Sequence, residues 1–329
     1  MNIIGYSVRK YAPLLMACAV GWQCASTGFA QGYPARPVRI VVPFAPGGPT
    51  DALARLLAQH LAERLGKTFI IDNRPGAGGN IGIGIVAKAT PDGHTILMSS
   101  SSFVVNPSLY TTPGYDPFKD FAPVTNAGNS PSMLIVHPSV AAKTVKELIT
   151  LLKANPGKYS SATPGIGTTG HLTNELFRMT LGLDFVSVPF NGAAPAIAST
   201  LQGQTPITFT AGPLAIEHVK TGGLRALAVT SQRRLSVMPD VPTLAEAGVP
   251  DLVSEIMHGV LLPAGTAKEI VQLLYREIAR IVALPEIKRP FSALGYEPLA
   301  NTPEEFAAQL RVEVEKWGKV VRGAKLKVD

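Results

Sequence analysis

Two stretches of the chain offer the backbone itself as a binding surface. Pro43-Phe44-Ala45-Pro46-Gly47-Gly48-Pro49-Thr50-Asp51 and Thr163-Pro164-Gly165-Ile166-Gly167-Thr168-Thr169-Gly170-His171 each join a β-branched run to a segment of helical periodicity. Glycines at such a junction let the chain approach a bound group closely, and the following helix opens with unpaired N–H groups and partial positive charge. Neither turn contains Lys or Arg. The chemistry this suggests is the holding of an anion by amides, hydroxyls and helix ends. Candidate contacts are Phe44, Pro46, Gly47, Gly48 and Thr50 in the first turn, and Gly165, Gly167, Thr168, Thr169 and His171 in the second. Ser99, at the end of a strand, and His258, at a chain crossing, join them. Asp51 reads as a first-turn acid balancing its helix dipole rather than as a ligand.

Other chemistries fit less well. Gly165-Ile166-Gly167-Thr168-Thr169-Gly170 is a literal GxGxxG, but the ribose-binding acid of a dinucleotide site stands at the end of the next strand, whereas Asp184 precedes the strand 185–190. There is no GxSxG and no HExxH, and the six histidines show no metal-ligand spacing. His60, His94, His137 and His218 read as capping or packing residues. A Ser/His/Asp triad assembled from distant positions stays open. No cofactor, metal or catalytic residue is expected.

The elements that position the turns follow from the apolar pattern. Strands are expected at 38–44, 68–72 and 95–99, with a helix over 50–65. A second series follows: strands at 132–137, 158–162, 185–190, 207–210 and 224–230, and helices from Thr144, Thr168 and Ala193. Thr144 with Glu147, Thr266 with Glu269, and Thr302 with Glu305 have the capping-box spacing, the last with Pro303 behind it. Two long helices and a short strand after Gly259 cannot enclose a core and are expected to pack back on the first lobe. Crossings near 126–130 and 254–259 then define a two-segment hinge. The expected fold is α/β, with residues 31–127 and 256–329 as lobe 1 and 128–255 as lobe 2.

The 329 residues suit two domains, and an apolar share of 46% excludes a disordered chain. Residues 1–30 read as a signal peptide: Arg9 and Lys10, an apolar stretch of about 18 Å if helical, too short for a bilayer, and Gly28-Phe29-Ala30 before cleavage. Both cysteines, Cys18 and Cys24, lie in this leader, so the mature chain is expected to have no disulfide. Arg9 and Lys10 aside, 28 basic residues face 23 acidic ones without a basic stripe, and no nucleic-acid partner is expected.

The chain resembles the solute-binding receptors of tripartite tricarboxylate transporters, the Bug or TctC family. The resemblance rests on Tyr33-Pro34 through Pro43-Phe44-Ala45-Pro46-Gly47-Gly48 and Asp51, on Asp72-Asn73-Arg74-Pro75-Gly76-Ala77-Gly78-Gly79-Asn80-Ile81-Gly82, and on Pro91-Asp92-Gly93-His94-Thr95. Tyr115-Asp116-Pro117, Asp120-Phe121-Ala122-Pro123-Val124, the run 224–231, the run 239–248 and Pro263-Ala264-Gly265-Thr266 continue it. It implies a two-lobed, type II periplasmic-binding-protein fold whose glycine turns face each other across a cleft. It further implies a non-catalytic, monomeric periplasmic protein that delivers a carboxylate to a permease with one large and one small integral membrane subunit. Two departures stand out. Phe209-Thr210 replaces a Phe-Asp of many relatives, and Met257-His258-Gly259 replaces a Trp-Tyr-Gly. Thr210 thereby becomes a candidate contact that supplies no charge, which implies a di- or tricarboxylate lacking an amino group. An exported enzyme acting on a small organic acid, and a ligand-sensing receptor, are the alternative readings.

Overall fold

The computed structural model describes residues 32–250, 252–293 and 295–328. The leader, its two cysteines and the expected cleavage after Ala30 lie outside the described residues.

The chain first lays down β1 (Val38–Val42), α1 (Pro49–Leu65), β2 (Phe69–Asn73), α2 (Asn80–Ala87), β3 (Thr95–Ser100) and α3 (Ser102–Leu109). After β4 (Phe121–Val136) come α4 (Val145–Ala154), β5 (Ser160–Thr163), α5 (Thr169–Leu181), β6 (Val186–Pro189), α6 (Ala193–Leu201), β7 (Ile207–Ala211), α7 (Gly212–Lys220) and β8 (Arg225–Val229). The chain returns through β9 (Glu255–Pro263), α8 (Lys268–Ala283), α9 (Pro285–Ala293), β10 (Glu297–Pro298) and α10 (Pro303–Gly323).

The strands run in the order β2-β1-β3-β9-β4-β7-β5-β6, with β8 and β10 also pairing with β4. β1 is parallel to β2 and β3, and β5 is parallel to β6 and β7. Alternation along β1 sends Val38, Ile40 and Val42 into a cluster with Leu53, Leu57 and Leu61 of α1 and Leu274 and Ile278 of α8. Val41 points the other way, towards Phe103 of α3 and Phe306, Leu310 and Trp317 of α10. A strand covered on both faces needs an unbroken apolar run, and this one has it.

β4 changes partner along its length. It is antiparallel to β9 from Phe121 opposite Pro263 to Pro131 opposite Glu255, and then to β7 from Ser132 opposite Ala211. Its register against β9 shifts between Asn126 and Asn129. The segments 126–130 and 255–259 thus lie within β4 and β9. Thr230 ties them to the far half of the sheet: its Oγ1 accepts the Ser132 N–H at 2.9 Å, and its carbonyl accepts the Ser254 N–H at 3.0 Å.

Several local expectations need correction. The first strand ends at Val42, because Pro43 cannot donate to the ladder. Thr266 is not a cap: α8 is capped at Ala267, and Thr266 Oγ1 donates to the Pro263 carbonyl at 2.8 Å, closing the preceding turn. Thr144 accepts the Glu147 N–H, but the Glu147 carboxylate takes the Lys143 N–H, one residue before the cap. Thr302 and Glu305 form the full reciprocal box. The two long helices expected after β9 are α8 and α10, and among the described residues the short α9 lies between them; α2, α3, α7 and the first part of β4 lack a sequence counterpart.

Candidate functional site

In open α/β sheets, ligands bind beyond the carboxyl ends of the strands, where successive connections leave in opposite directions. From β1 the chain passes to β2 on one side and then to β3 on the other, so the first such point lies between the loops after β1 and β3. From β5 it passes to β6 and then back to β7, which puts the second between the loops after β5 and β7. The first glycine turn follows β1 and the second follows β5. Both turns that the residue types singled out thus stand at such points.

The first turn is held by Asp51, which is 2% exposed. Its Oδ2 accepts the Gly47 N–H at 2.8 Å and Arg55 Nε at 2.9 Å, and its Oδ1 accepts Asn73 Nδ2 at 2.9 Å. The same Asn73 amide donates to the Phe44 carbonyl at 3.1 Å. Burial pushes the Asp51 carboxyl up, but the bonds from Arg55, Gly47 and Asn73 outweigh it and hold the group below the ordinary carboxylate range. Asp51 does stand in the first turn of α1, and it also pins the loop. The Gly47 N–H, expected to serve an anion, is directed at Asp51 instead. Gly47 is needed for its φ of +86°, which a side chain would strain. Phe44 is half-buried, whereas Pro46 is exposed and Gly48 intermediate.

The second turn is likewise stitched internally. Thr168 caps α5: its Oγ1 accepts the His171 N–H at 3.3 Å and donates to the Gly165 carbonyl at 2.7 Å. Its hydroxyl, expected to meet the anion, thus has a structural role. The buried Gly167 N–H donates to His171 Nδ1 at 3.2 Å. Burial pushes the His171 imidazole down, with Glu175 opposing, so the neutral ring accepts at Nδ1 and offers an N–H at Nε2. Gly167 lies against Leu109 at the end of α3, and a Cβ there would stand 2.1 Å from Leu109 Cδ2. That contact brings the second turn onto the half of the sheet that carries the first. Thr169 is buried, and Gly165 and Thr168 are intermediate.

Three further candidates are enclosed by protein. Ser99 and Thr210 are each 1% exposed, and neither hydroxyl has a hydrogen-bond partner among the described residues. Thr210 stands opposite Met133 in the ladder, on the face that carries Ile135, Ile197 and Ile216. His258 is fully buried, with Nδ1 3.2 Å from Thr50 Oγ1 and Nε2 2.6 Å from Ser130 Oγ. Burial lowers its imidazole to about 3, so the ring is neutral. His60, His94 and His137 have local partners in Glu63, Asp92 and Ser139. Among the described residues, no group of three His, Cys, Asp or Glu has metal-binding geometry.

Sequence reasoning missed Asn73, Arg55, Ser130 and the serines after β3. A Cβ on Gly79 would lie 3.4 Å from Ser102 Oγ and 3.6 Å from Phe44 Cε1, so the loops after β1, β2 and β3 converge there. The run Ser99-Ser100-Ser101-Ser102 at a strand end was the available signal.

Gly170 gives a direct test of how tightly the second turn is built. A Cβ there would stand 2.7 Å from the Phe209 carbonyl oxygen and 2.9 Å from Pro164 Cδ. A helical Gly→Ala change ordinarily gains about 1 kcal/mol, but overpacking against backbone costs about 3 kcal/mol. Gly170→Ala is expected to lower stability by about 2 kcal/mol in urea unfolding. A midpoint equal to or above that of the parent protein contradicts the close packing of α5 on β7.

A family profile described as tripartite tricarboxylate transporter family receptor matches residues 53–326. Protein BugT of Bordetella pertussis is 38% identical over 302 residues, covering 91% of this chain and 93% of BugT. Among solved structures, an R. palustris protein with adipate superposes with a TM-score of 0.82 at 34% identity, covering 90% of this chain and 100% of its own. The periplasmic binding protein BugD gives 0.79 at 36% identity, with the same two coverages. MatC from Rhodopseudomonas palustris, with bound malate, gives 0.77 at 30%, covering 88% of this chain and 100% of MatC. The described architecture is therefore shared with periplasmic binding proteins. No helix among the described residues is long and apolar enough to cross a membrane.

Proposed function

The chain belongs to the tripartite tricarboxylate transporter family of receptors, which are periplasmic solute-binding proteins rather than enzymes, and from that membership we propose that it captures a di- or tricarboxylate lacking an amino group. In this reading lobe 1 comprises residues 31–127 and 256–329 and lobe 2 residues 128–255, and the ligand lies between the glycine turns after β1 and β5. The receptor, a monomer, delivers it to the large and small integral subunits of a tripartite permease. The observation that supports this most is the placement of a glycine turn and a helix N-terminus at both topological switch points, without a Lys or Arg in either turn.

The magnitudes allow it. Each helix N-terminus contributes about 0.3–1 kcal/mol towards an anion, and up to about 2 kcal/mol when partly buried. Hydrogen bonds to a charged group contribute about 1.5–3 kcal/mol each, so a few together reach the roughly 8 kcal/mol of micromolar binding. Relatives solved with adipate and malate support the carboxylate class. The absence of an amino group rests on the resemblance, in which Thr210 stands where many relatives have an acid and supplies no negative charge for an ammonium.

Calorimetric titration with adipate, malate, succinate and aspartate tests the proposal. Micromolar binding of at least one amino-free acid is expected, with aspartate at least about tenfold weaker than succinate. Equal affinity for succinate and aspartate sinks the reading of Thr210. Binding of none of them sinks the carboxylate assignment, and product formation restores the enzyme alternative.

A further inference from the structure

His258 lies beneath the first turn rather than in it. Its ring Nδ1 meets Thr50 Oγ1 at 3.2 Å, its Nε2 meets Ser130 Oγ at 2.6 Å, and its backbone N–H donates to Asn126 Oδ1 at 3.3 Å. Tyr296 covers it, with ring centroids 5.7 Å apart. The side chain thus connects the N-terminal turn of α1 to the middle of β4, across 208 and 128 residues of sequence.

A neutral imidazole has one N–H and one lone pair, so it donates to one of these hydroxyls and accepts from the other. If Nε2 carries the proton, Ser130 is the acceptor and its own hydrogen must find another oxygen. Ser130 is 0% exposed, and among the described residues its Oγ has no hydrogen-bond partner besides His258. That hydrogen would be buried without an acceptor, which is the costly arrangement. If Nδ1 carries the proton, Ser130 donates to Nε2 and both Ser130 and the ring are satisfied. Thr50 then accepts from Nδ1–H, and its hydroxyl hydrogen is the one left over; Thr50 is also buried, but at 5% exposure against 0% for Ser130, and it stands on the first turn of α1, where an anion is favoured and can take that hydrogen.

We propose that His258 is a positioning residue: held as the Nδ1–H tautomer by Ser130, it turns the Thr50 hydroxyl into a hydrogen-bond donor for the ligand carboxylate. The inference rests on the carboxylate site proposed above. It also gives His258 in the Met257-His258-Gly259 segment a role, since its ring can donate at one nitrogen and accept at the other.

The tautomer is measured first, on the ligand-free protein labelled with ¹⁵N-histidine. Long-range ¹H–¹⁵N correlation, with His258 assigned by its absence from a His258→Gln sample, is expected to show a protonated Nδ1 and an unprotonated Nε2. An Nε2–H tautomer overturns the proposal, and this outcome does not depend on any ligand. Calorimetry with adipate and malate follows. Thr50→Val and His258→Phe are each expected to weaken binding by about tenfold, and the double variant by no more than about twofold beyond either, because they remove one interaction. His258→Gln, which can accept from Ser130 and donate to Thr50, is expected to stay within about threefold of the parent. Effects that multiply in the double variant overturn the coupling. Should His258→Phe fail to fold, Thr50→Val and the parent spectrum still decide the matter. Absence of adipate and malate binding to the parent protein counts against the carboxylate site, not against the tautomer.

Discussion

Asp51→Ala is expected to cost about 3 kcal/mol of folding stability and to abolish measurable ligand binding. The carboxylate accepts three hydrogen bonds, from the Gly47 N–H, Arg55 and Asn73, and no other group holds the Gly47 N–H among the described residues. Bonds to a charged acceptor contribute about 1.5–3 kcal/mol each, but the three do not add. Arg55 is half exposed and regains water, Gly47 is exposed, and Asn73 keeps the Phe44 carbonyl. The estimate therefore falls well short of the sum. What is lost is the shape of the turn, since Gly47 and Phe44 are both tied to the Asp51 and Asn73 pair. Asp51→Asn retains one oxygen acceptor and is expected to lose about half as much. The pH dependence supplies a second readout. The Asp51 pKa is lowered in the folded protein, so its stabilisation is complete above the unfolded value, near 4, and is lost as pH falls through the folded value. Asp51→Ala should lack that part of the acid-induced loss. Urea unfolding between pH 3 and 7 together with calorimetry measures both effects, and a variant that binds as well as the parent refutes the pinning role.

Glu255→Gln is expected to act in the opposite direction, raising stability by about 3 kcal/mol at pH 8 and by little at pH 4. Glu255 opens β9 opposite Pro131, where it shares a groove with Glu297, Glu313, Lys316, Lys288 and Arg233. Burial raises its carboxyl most, and Glu297 and Glu313 add to that; the bond from Asn129 and the charge of Lys316 oppose it. The balance leaves it at about 7, against an ordinary value of 4.5. An acid raised in the folded state favours folding fully below its unfolded pKa. As pH rises from about 4 to 7, the unfolded chain releases the proton before the folded one does, and that stability is lost. The gap corresponds to about 3 kcal/mol at 1.36 kcal/mol per pH unit. Glutamine keeps an oxygen for Asn129 and carries no charge, so it removes the loss. Parent and variant must be compared at the same pH, because Asp51, Asp72, Asp92 and Asp116, all lowered, weaken both proteins in acid. A gain at pH 8 no larger than at pH 4 contradicts the raised carboxyl.

The alternation of strands and helices was legible in the chain because hydrophobic period is a local property, set by residues two to four positions apart. So was the box at Thr302 and Glu305, whose partners are three residues apart, and so were the two glycine turns that follow β1 and β5. Local signals also misled where a second partner was near: Thr266 had the right spacing for a cap, but its hydroxyl found the Pro263 carbonyl first. The sequence reading also named His258 and Asp51 without the contacts that define them. Asp51 depends on Asn73, and His258 on Thr50 and Ser130, and the strand order alone brings those groups within hydrogen-bond reach. The third glycine of Gly165-Ile166-Gly167-Thr168-Thr169-Gly170 makes the same point. Its spacing invited a nucleotide, whereas in the folded protein it lets α5 lie on the Phe209 carbonyl. Sequence spacing determines which backbone groups a residue can reach within its own turn of helix or pair of strands. Contacts across tens or hundreds of residues exist only once the sheet order has brought those elements side by side, and the chemistry of the two turns depends on those contacts.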